Sequence, residues 1–74
     1  MIEPGYYRHF KGNLYEVIGV GIHSETGEKL VVYRACYGEG GLWLRPYEMF
    51  EEVVEWEGKQ VARFRRIVEE ARDL

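Results

Sequence analysis

Short hydrophobic stretches recur along most of the chain, and apolar and polar residues alternate with the two-residue period of β-strands over residues 42–45. β-Branched and aromatic residues dominate these stretches, and clusters of glycine, asparagine and proline separate them. The pattern predicts strands at residues 6–10, 14–22, 29–37, 42–46 and 53–56. Near the C-terminus the apolar residues change to helical spacing, which predicts an α-helix over residues 64–73.

A hairpin formed by the second and third predicted strands is the organising element of the chain. Ser24 at the first position and Gly27 at the fourth favour a type I turn, with Gly27 in the left-handed region. This turn predicts a register that pairs Ile22 with Leu30, Val20 with Val32, Ile18 with Arg34, and Gly19 with Tyr33.

This register assigns the two faces of the hairpin. The face with Val20 and Val32 is expected to look inward because it is aliphatic near the turn. A one-residue slip in the register would exchange the two faces. On the second face, Gly19 is expected to leave space for Tyr33 to lie across it.

Residues 47–50 are too few for an independent helix and predict a single 3₁₀ turn, which would bury Met49 and Phe50. Five short strands, this turn and a terminal helix predict a mainly β domain over residues 1–74. The expected architecture is a small SH3-like barrel of about five antiparallel strands with a C-terminal α-helix. A curled antiparallel sheet carrying one helix is the near alternative.

Composition limits the classes of function. The net charge of −3 argues against bulk, sequence-independent binding of nucleic acid, which needs a basic surface. Arg63-Phe64-Arg65-Arg66 is the one basic cluster, and the acidic residues after it favour a salt-bridged helix face over a nucleic-acid patch.

Cysteine use and the chain start predict a cytoplasmic location. Cys36 is the sole cysteine, so no intrachain disulfide can form, and a small buried apolar role is expected for it. The first residues lack the basic start and apolar run of a signal peptide, and no apolar run approaches the roughly 20 residues of a membrane span.

The candidate binding surface combines aromatic side chains with cations. Its proposed members are Tyr15, Tyr33, Trp43, Arg45 and His23. Aromatic rings beside a guanidinium form a stacking and cation–π surface of the kind that binds peptides or single-stranded nucleic acid. The alternative is that the C-terminal helix covers these aromatics and makes them a second core layer. For Arg45, the alternative is an ion pair with Glu48, Glu16 or Glu39.

No catalytic, metal or cofactor motif is present in the sequence. His23-Ser24 is better explained by turn chemistry than by a nucleophile and base, because adjacent residues rarely have the needed geometry. One cysteine and two widely spaced histidines do not form a zinc pattern. We therefore expect no catalytic residue, no metal and no cofactor.

Several stretches together resemble the DUF1653 family, a small bacterial domain of unknown function. They are PGYYRHFKGNLYEV, HSETGEKLVVYRACYG, LWLRPYEMF and GKQVARF, and the resemblance runs from about residue 4 to residue 67. Ala62 departs from the family, which often has proline at this position, and the charged tail after Ile67 is a second departure. The resemblance implies a small bacterial, cytoplasmic domain and carries no catalytic residues to transfer.

The leading hypothesis is a non-enzymatic module that uses the aromatic and arginine surface to recognise a peptide or nucleic acid. A small enzyme or ligand-binding domain with a pocket near Trp43 and His23 is the second hypothesis. A structural homodimer that buries its aromatics is the third. The small size disfavours the enzyme, because few convergent polar groups are available to enclose a pocket.

Overall fold

Antiparallel strand pairing accounts for most of the regular structure. The structure is a computed structural model that describes residues 1–67. Its elements are β1 Gly5–His9, β2 Leu14–Ile22, β3 Lys29–Ala35, β4 Leu42–Pro46, α1 Tyr47–Phe50, β5 Val53–Trp56, β6 Lys59–Ala62 and β7 Phe64–Arg66. The five predicted strands are therefore present, with small shifts at the ends of the first and third.

Five of the strands form one sheet in the order β4-β3-β2-β1-β7, and β5 pairs with β6 in a separate ribbon. Within residues 1–67 no strand pairing joins the edges β4 and β7, so closure into a barrel is not observed. The sheet is nevertheless curled, and the evidence is a contact between its two edge strands. The guanidinium carbon of Arg45 on β4 lies 5.8 Å from the ring centroid of Phe64 on β7. The mainly β antiparallel prediction is confirmed.

Two stacked phenylalanine rings occupy the centre of the core. The rings of Phe50 and Phe64 are parallel, with centroids 4.1 Å apart. Tyr7 and Tyr33 each contact Phe50 edge-on with centroids 5.5 Å apart, and Tyr33 also contacts Phe64 at 5.7 Å. The buried cluster comprises Ile2, Tyr7, Val17, Val31, Tyr33, Phe50 and Phe64.

The predicted hairpin register is wrong by one residue near the turn. The His23 N–H donates to the Glu28 carbonyl and the Gly27 N–H donates to the His23 carbonyl, so His23 lies opposite Glu28. Ile22 therefore pairs with Lys29 instead of Leu30. Gly27 has a φ of +77°, which confirms its predicted left-handed conformation.

A β-bulge between Val17 and Gly19 shifts the register by one further residue. Gly19 lies opposite Val32, whereas Val17 lies opposite Tyr33. The expectation that Tyr33 lies across Gly19 is therefore wrong, and a side chain added at Gly19 would meet open space. Neither shift is visible in the order of residue types, because both are set by backbone hydrogen bonds between the strands.

The buried face of β3 is the opposite of the one predicted. Val31, Tyr33 and Ala35 are buried, whereas Leu30, Val32 and Arg34 were expected to look inward. The two one-residue shifts together restore the predicted sharing of faces beyond the bulge, where Val17 lies opposite Tyr33 and both are buried. The error therefore lies in the choice of the inward face. The face that carries Tyr33 is thus the core face.

The helix predicted over residues 64–73 is wrong at its start, where Phe64–Arg66 forms β7 against β1. Residues 60–63, predicted to be either extended or in the first helical turn, are mostly extended because β6 spans Lys59–Ala62. The rest of that prediction, residues 68–73, lies outside the described residues. A segment of three residues is too short for its sequence to distinguish the strand period of two from the helical period of 3.6. Pairing with β1 therefore decides its structure.

Residues Tyr47–Phe50 form one turn of α-helix instead of the predicted 3₁₀ turn. The Glu51 N–H donates to the Tyr47 carbonyl four residues earlier, which is the α-helical spacing. Phe50 is buried as predicted, but Met49 is 46% exposed and does not enter the core. No helix among residues 1–67 is long and apolar enough to cross a membrane.

We predict that Phe64→Ala lowers the free energy of unfolding by about 3–5 kcal/mol, since it removes a ring stacked in the core. Phe64→Leu should cost less because it keeps an apolar side chain. Met49→Ala is the matched control from the exposed side of α1 and should change stability by at most about 0.5 kcal/mol. Urea denaturation followed by circular dichroism measures all three, and equal losses for Phe64→Ala and Met49→Ala would contradict a core centred on this stack.

Candidate functional site

A cleft of about 220 Å³ opens where the core face of the sheet reaches the surface. We call it the aromatic cleft, and its lining residues are Tyr15, Tyr33, Tyr37, Trp43 and Arg45. It contains four of the five residues predicted for the binding surface. Larger concavities lie elsewhere on the described residues, but they do not include these side chains.

Strand register explains why these side chains converge. Tyr33 on β3 lies directly opposite Trp43 on β4, and residues paired in this way share a face. Arg45 follows Trp43 by two residues and therefore returns to that face. Tyr15 on β2 lies opposite Ala35, which is two residues from Tyr33 and therefore on the same face. The predicted alternation of Trp43 and Arg45 on one side of their strand is thus consistent with the observed pairing.

Hydrogen bonds fix the inner part of the cleft. The hydroxyl oxygens of Tyr15 and Tyr37 are 2.8 Å apart and share a hydrogen bond. The Nε of Arg45 donates to the Tyr33 hydroxyl at 3.1 Å. The Tyr15 ring contacts the Tyr33 and Tyr37 rings edge-on, with centroids 5.6 and 5.7 Å away. These contacts hold Arg45 and the tyrosines in one arrangement.

Exposure divides the cleft into a floor and a rim. Tyr33 is only 5% exposed and belongs to the core, while Tyr15 is half-buried against it. Trp43 is 58% exposed and Tyr37 is 50% exposed. The aromatic surface is therefore neither fully covered nor fully open, and only its rim is available for contact with another molecule.

Arg45 does not form an observed ion pair with any of the three glutamates considered for it. Glu16 instead pairs with Arg34, with 3.5 Å between the carboxylate oxygen and Nε. The guanidinium of Arg45 lies over the Phe64 ring and donates to Tyr33. Arg45 thus provides a positive charge beside the exposed indole of Trp43.

Burial, followed by the hydrogen bond with Tyr37, raises the pKa of Tyr15 to about 12. Both effects favour the neutral phenol, since an ionised oxygen would lose solvation and repel electron density on its neighbour. Tyr15 is therefore a neutral hydrogen-bonding group at physiological pH and does not act as a base there.

His23 lies outside the aromatic cleft. It flanks the end of the hairpin, and the Tyr33–Trp43 pair lies four residues along β3 from Lys29, a span of about 13 Å. The Nδ1 of His23 accepts hydrogen bonds from the backbone N–H groups of Glu25 and Thr26 at 3.1 and 3.3 Å. The structure therefore places His23 in the turn, where its ring caps two backbone N–H groups.

No group of three histidine, cysteine, aspartate or glutamate residues within residues 1–67 is placed to bind a metal ion. Cys36 is exposed, so the expectation of a buried apolar cysteine is wrong. Its neighbour Ala35 is buried, because successive side chains of an extended chain point to opposite faces and Ala35 lies on the core face.

Comparison with known proteins identifies the family. The family model described as DUF1653, protein of unknown function, matches residues 5–66. The chain belongs to the DUF1653 family. A crystal structure of a DUF1653 protein from Bordetella bronchiseptica is 32% identical, with a TM-score of 0.82 over 89% of this chain and 87% of that one. A search of curated proteins found no match.

In this DUF1653 domain, sequence reasoning missed that β4 is an edge strand. Leu42 and Leu44 are 66% and 62% exposed, and they lie on the face of β4 opposite to Trp43. Alternation identifies which residues share a face, but strand order depends on contacts between distant segments. Tyr37 also lines the cleft. The hairpin register predicted from the sequence pairs it with Tyr15 on the face of Tyr33, which is the signal that could have included it in the site.

We predict that Tyr15 titrates near pH 12, well above its unfolded value of about 10. Because the folded pKa is raised, this group's contribution to stability is complete below pH 10 and is lost as the pH rises toward 12. Tyr37→Phe should lower the pKa of Tyr15 but leave it above 10, since burial remains.

Nuclear magnetic resonance of ¹³Cζ-labelled tyrosine measures this titration. Tyr6→Phe removes a tyrosine outside the cleft and serves as the control, which should leave the titration of Tyr15 unchanged. A titration of Tyr15 near pH 10 in the unmodified protein would exclude the described hydrogen bond and burial.

Proposed function

We propose that this DUF1653 domain is a non-enzymatic binding module that recognises an extended peptide through the aromatic cleft and the outer edge of β4. The observation that carries the proposal is the position of a largely exposed Trp43 on an edge strand. Tryptophan is enriched among residues that dominate binding energy, because its large ring buries much apolar area.

The edge of β4 supports recognition of an extended chain. Within the described residues, β4 pairs only with β3, so one side of its backbone carries unpaired donors and acceptors. Leu42, Trp43 and Leu44 are all more than half exposed. A peptide that adds as a further strand would satisfy the backbone groups and cover these side chains.

Arg45 supports a preference for an acidic or aromatic side chain in the peptide. The bond from its Nε to Tyr33 leaves the terminal nitrogens of the guanidinium to face a ligand. A carboxylate can accept hydrogen bonds from these nitrogens, and an aromatic ring can stack on the guanidinium plane.

A peptide fits this site better than a nucleic acid, which is the alternative ligand. The cleft lining contains a single cation, and the whole chain carries a net charge of −3. Binding along a phosphate backbone requires several cations in succession.

An enzyme is less well supported. The cleft lining of tyrosines, Trp43 and Arg45 contains no carboxylate, imidazole or thiol. Tyr15 stays protonated at neutral pH because of its raised pKa. His23 is too far along the hairpin to complete a pocket with Trp43, so the second hypothesis lacks its expected geometry.

The proposal extends to architecture and location. The approach of Arg45 to Phe64 supports an SH3-like barrel whose edge strands curl toward each other. The single, exposed Cys36 supports work in the reducing cytoplasm, where a free thiol persists.

We predict that peptides enriched on the immobilised full chain from a random display library bind through Trp43. Trp43→Ala should weaken binding of an enriched peptide by about thirtyfold or more, as expected for a tryptophan that dominates an interface. Trp56→Ala is the matched control, because Trp56 does not line the aromatic cleft. Isothermal titration calorimetry measures all three affinities.

Two outcomes would contradict peptide recognition at β4. The first is equal binding of the enriched peptides to Trp43→Ala and the unmodified chain. The second is a concentration-dependent homodimer, seen by analytical ultracentrifugation, that Trp43→Ala converts to a monomer. That result would show that the exposed edge pairs with its own copy, as in the third hypothesis.

A further inference from the structure

The edge strand β4 presents a different surface on each face of the sheet. Trp43 and Arg45 lie on the core face, where they line the aromatic cleft. Leu42 and Leu44 lie on the opposite face and are largely exposed. An extended chain that adds to this edge has the same two-residue period, so its side chains meet the two surfaces in turn.

The sheet face opposite the core, which we call the outer face, is apolar around Leu44. Leu44 lies directly opposite the half-buried Val32 on β3. On its other side, Val32 lies opposite Gly19, where an added side chain would meet open space. This part of the outer face is therefore apolar and uncovered within residues 1–67, and an aliphatic side chain placed opposite Leu44 would bury apolar area there.

Arg45 gives the core face of β4 a positive charge that no carboxylate of residues 1–67 pairs with. Its side chain is half-buried, and its Nε donates to the Tyr33 hydroxyl. The two terminal nitrogens of the guanidinium remain for a ligand. A carboxylate is the acceptor that fits them best, because its two oxygens match the planar fork of donors and carry the opposite charge.

We propose that the ligand of this edge is a peptide with the order acidic, aliphatic, aromatic, aliphatic, which adds to β4 as an antiparallel strand. The peptide occupies the site proposed above, so the inference rests on that proposed function. The acidic residue pairs with Arg45, and the aromatic residue lies opposite Trp43. The two aliphatic residues cover Leu44 and Leu42 on the outer face.

The direction of the peptide follows from the pairing of the sheet. Every strand pair within residues 1–67 is antiparallel, and antiparallel pairing is slightly more stable per residue than parallel pairing. In that arrangement the N-terminal residue of the four lies opposite Arg45 and the C-terminal residue lies opposite Leu42. Reversing the order moves the acidic residue to the Leu42 end, where it loses the guanidinium.

Two peptides of equal composition test the order. They are Ser-Gly-Glu-Val-Tyr-Val-Gly-Ser and its reverse, Ser-Gly-Val-Tyr-Val-Glu-Gly-Ser, each labelled with fluorescein at the N-terminus and amidated at the C-terminus. Fluorescence anisotropy with the full chain measures both affinities. The first peptide should bind about tenfold more tightly, because it alone places its carboxylate beside Arg45 in an antiparallel strand.

Two pairs of variants assign the contacts. Arg45→Gln should weaken binding of the first peptide by about tenfold and leave the reverse peptide unchanged, whereas Arg65→Gln, on the other edge of the sheet, should change neither. Leu44→Thr should weaken both peptides by about fivefold, whereas Val53→Thr, at a similarly exposed position on β5, should change neither. Circular dichroism confirms that each variant is folded. The order of the peptide and Leu44→Thr keep the test decisive if Arg45→Gln is not folded.

Methylation of the peptide backbone tests the added strand itself. The N–H groups of alternate residues point to the same side of an extended chain, so only one alternate set faces β4. The first peptide methylated at the backbone nitrogens of both valines is compared with the same peptide methylated at those of glutamate and tyrosine. One of the two should lose binding and the other should keep it.

Four results would overturn the proposal. They are the absence of saturable binding of the first peptide, binding of the reverse peptide that is equal or tighter, an unchanged affinity in folded Arg45→Gln, and an equal loss from both methylations. Library peptides that depend on Trp43 while the two orders bind equally would leave the proposed function standing and exclude this ligand. Library peptides that do not depend on Trp43 would contradict the proposed function itself.

Discussion

The stacked rings of Phe50 and Phe64 are the interaction on which the rest of the described structure depends. Phe50 comes from the short helix and Phe64 from the last strand, so their contact joins two segments that local hydrogen bonds alone would not hold. Tyr7 and Tyr33 pack edge-on against this pair from the sheet. A domain of 74 residues buries only about 60% of the surface that its unfolded chain exposes, so one central stack carries a large share of its stability.

The aromatic cleft is a continuation of this core toward the surface. Exposure rises from 2% at Phe50 and 5% at Tyr33 to 50% at Tyr37 and 58% at Trp43. Residues at the inner end therefore support both the fold and the site, and their substitution changes both together. Trp43 is largely exposed, so its replacement is expected to change the free energy of unfolding little. It is therefore the residue whose replacement can test the proposed binding apart from stability.

Alternation along the sequence identified the strands, the shared face of Trp43 and Arg45, and the burial of Phe50. It failed at the hairpin, where the bulge before Gly19 and the closing pair of His23 and Glu28 are set by backbone hydrogen bonds. It failed again at Phe64, whose helical spacing gave no sign of pairing with His9 over fifty residues away in sequence. Strand order is equally non-local, so the exposure of β4 was not available from the sequence.

The same strand that completes the core also places two arginines opposite each other on neighbouring strands. β7 is three residues long, and successive side chains on a strand point to opposite faces. Because Phe64 is fixed inward by its stack on Phe50, the next residue, Arg65, is directed to the outer face and lies opposite Arg8. The like-charged pair is therefore a consequence of the register that the core requires.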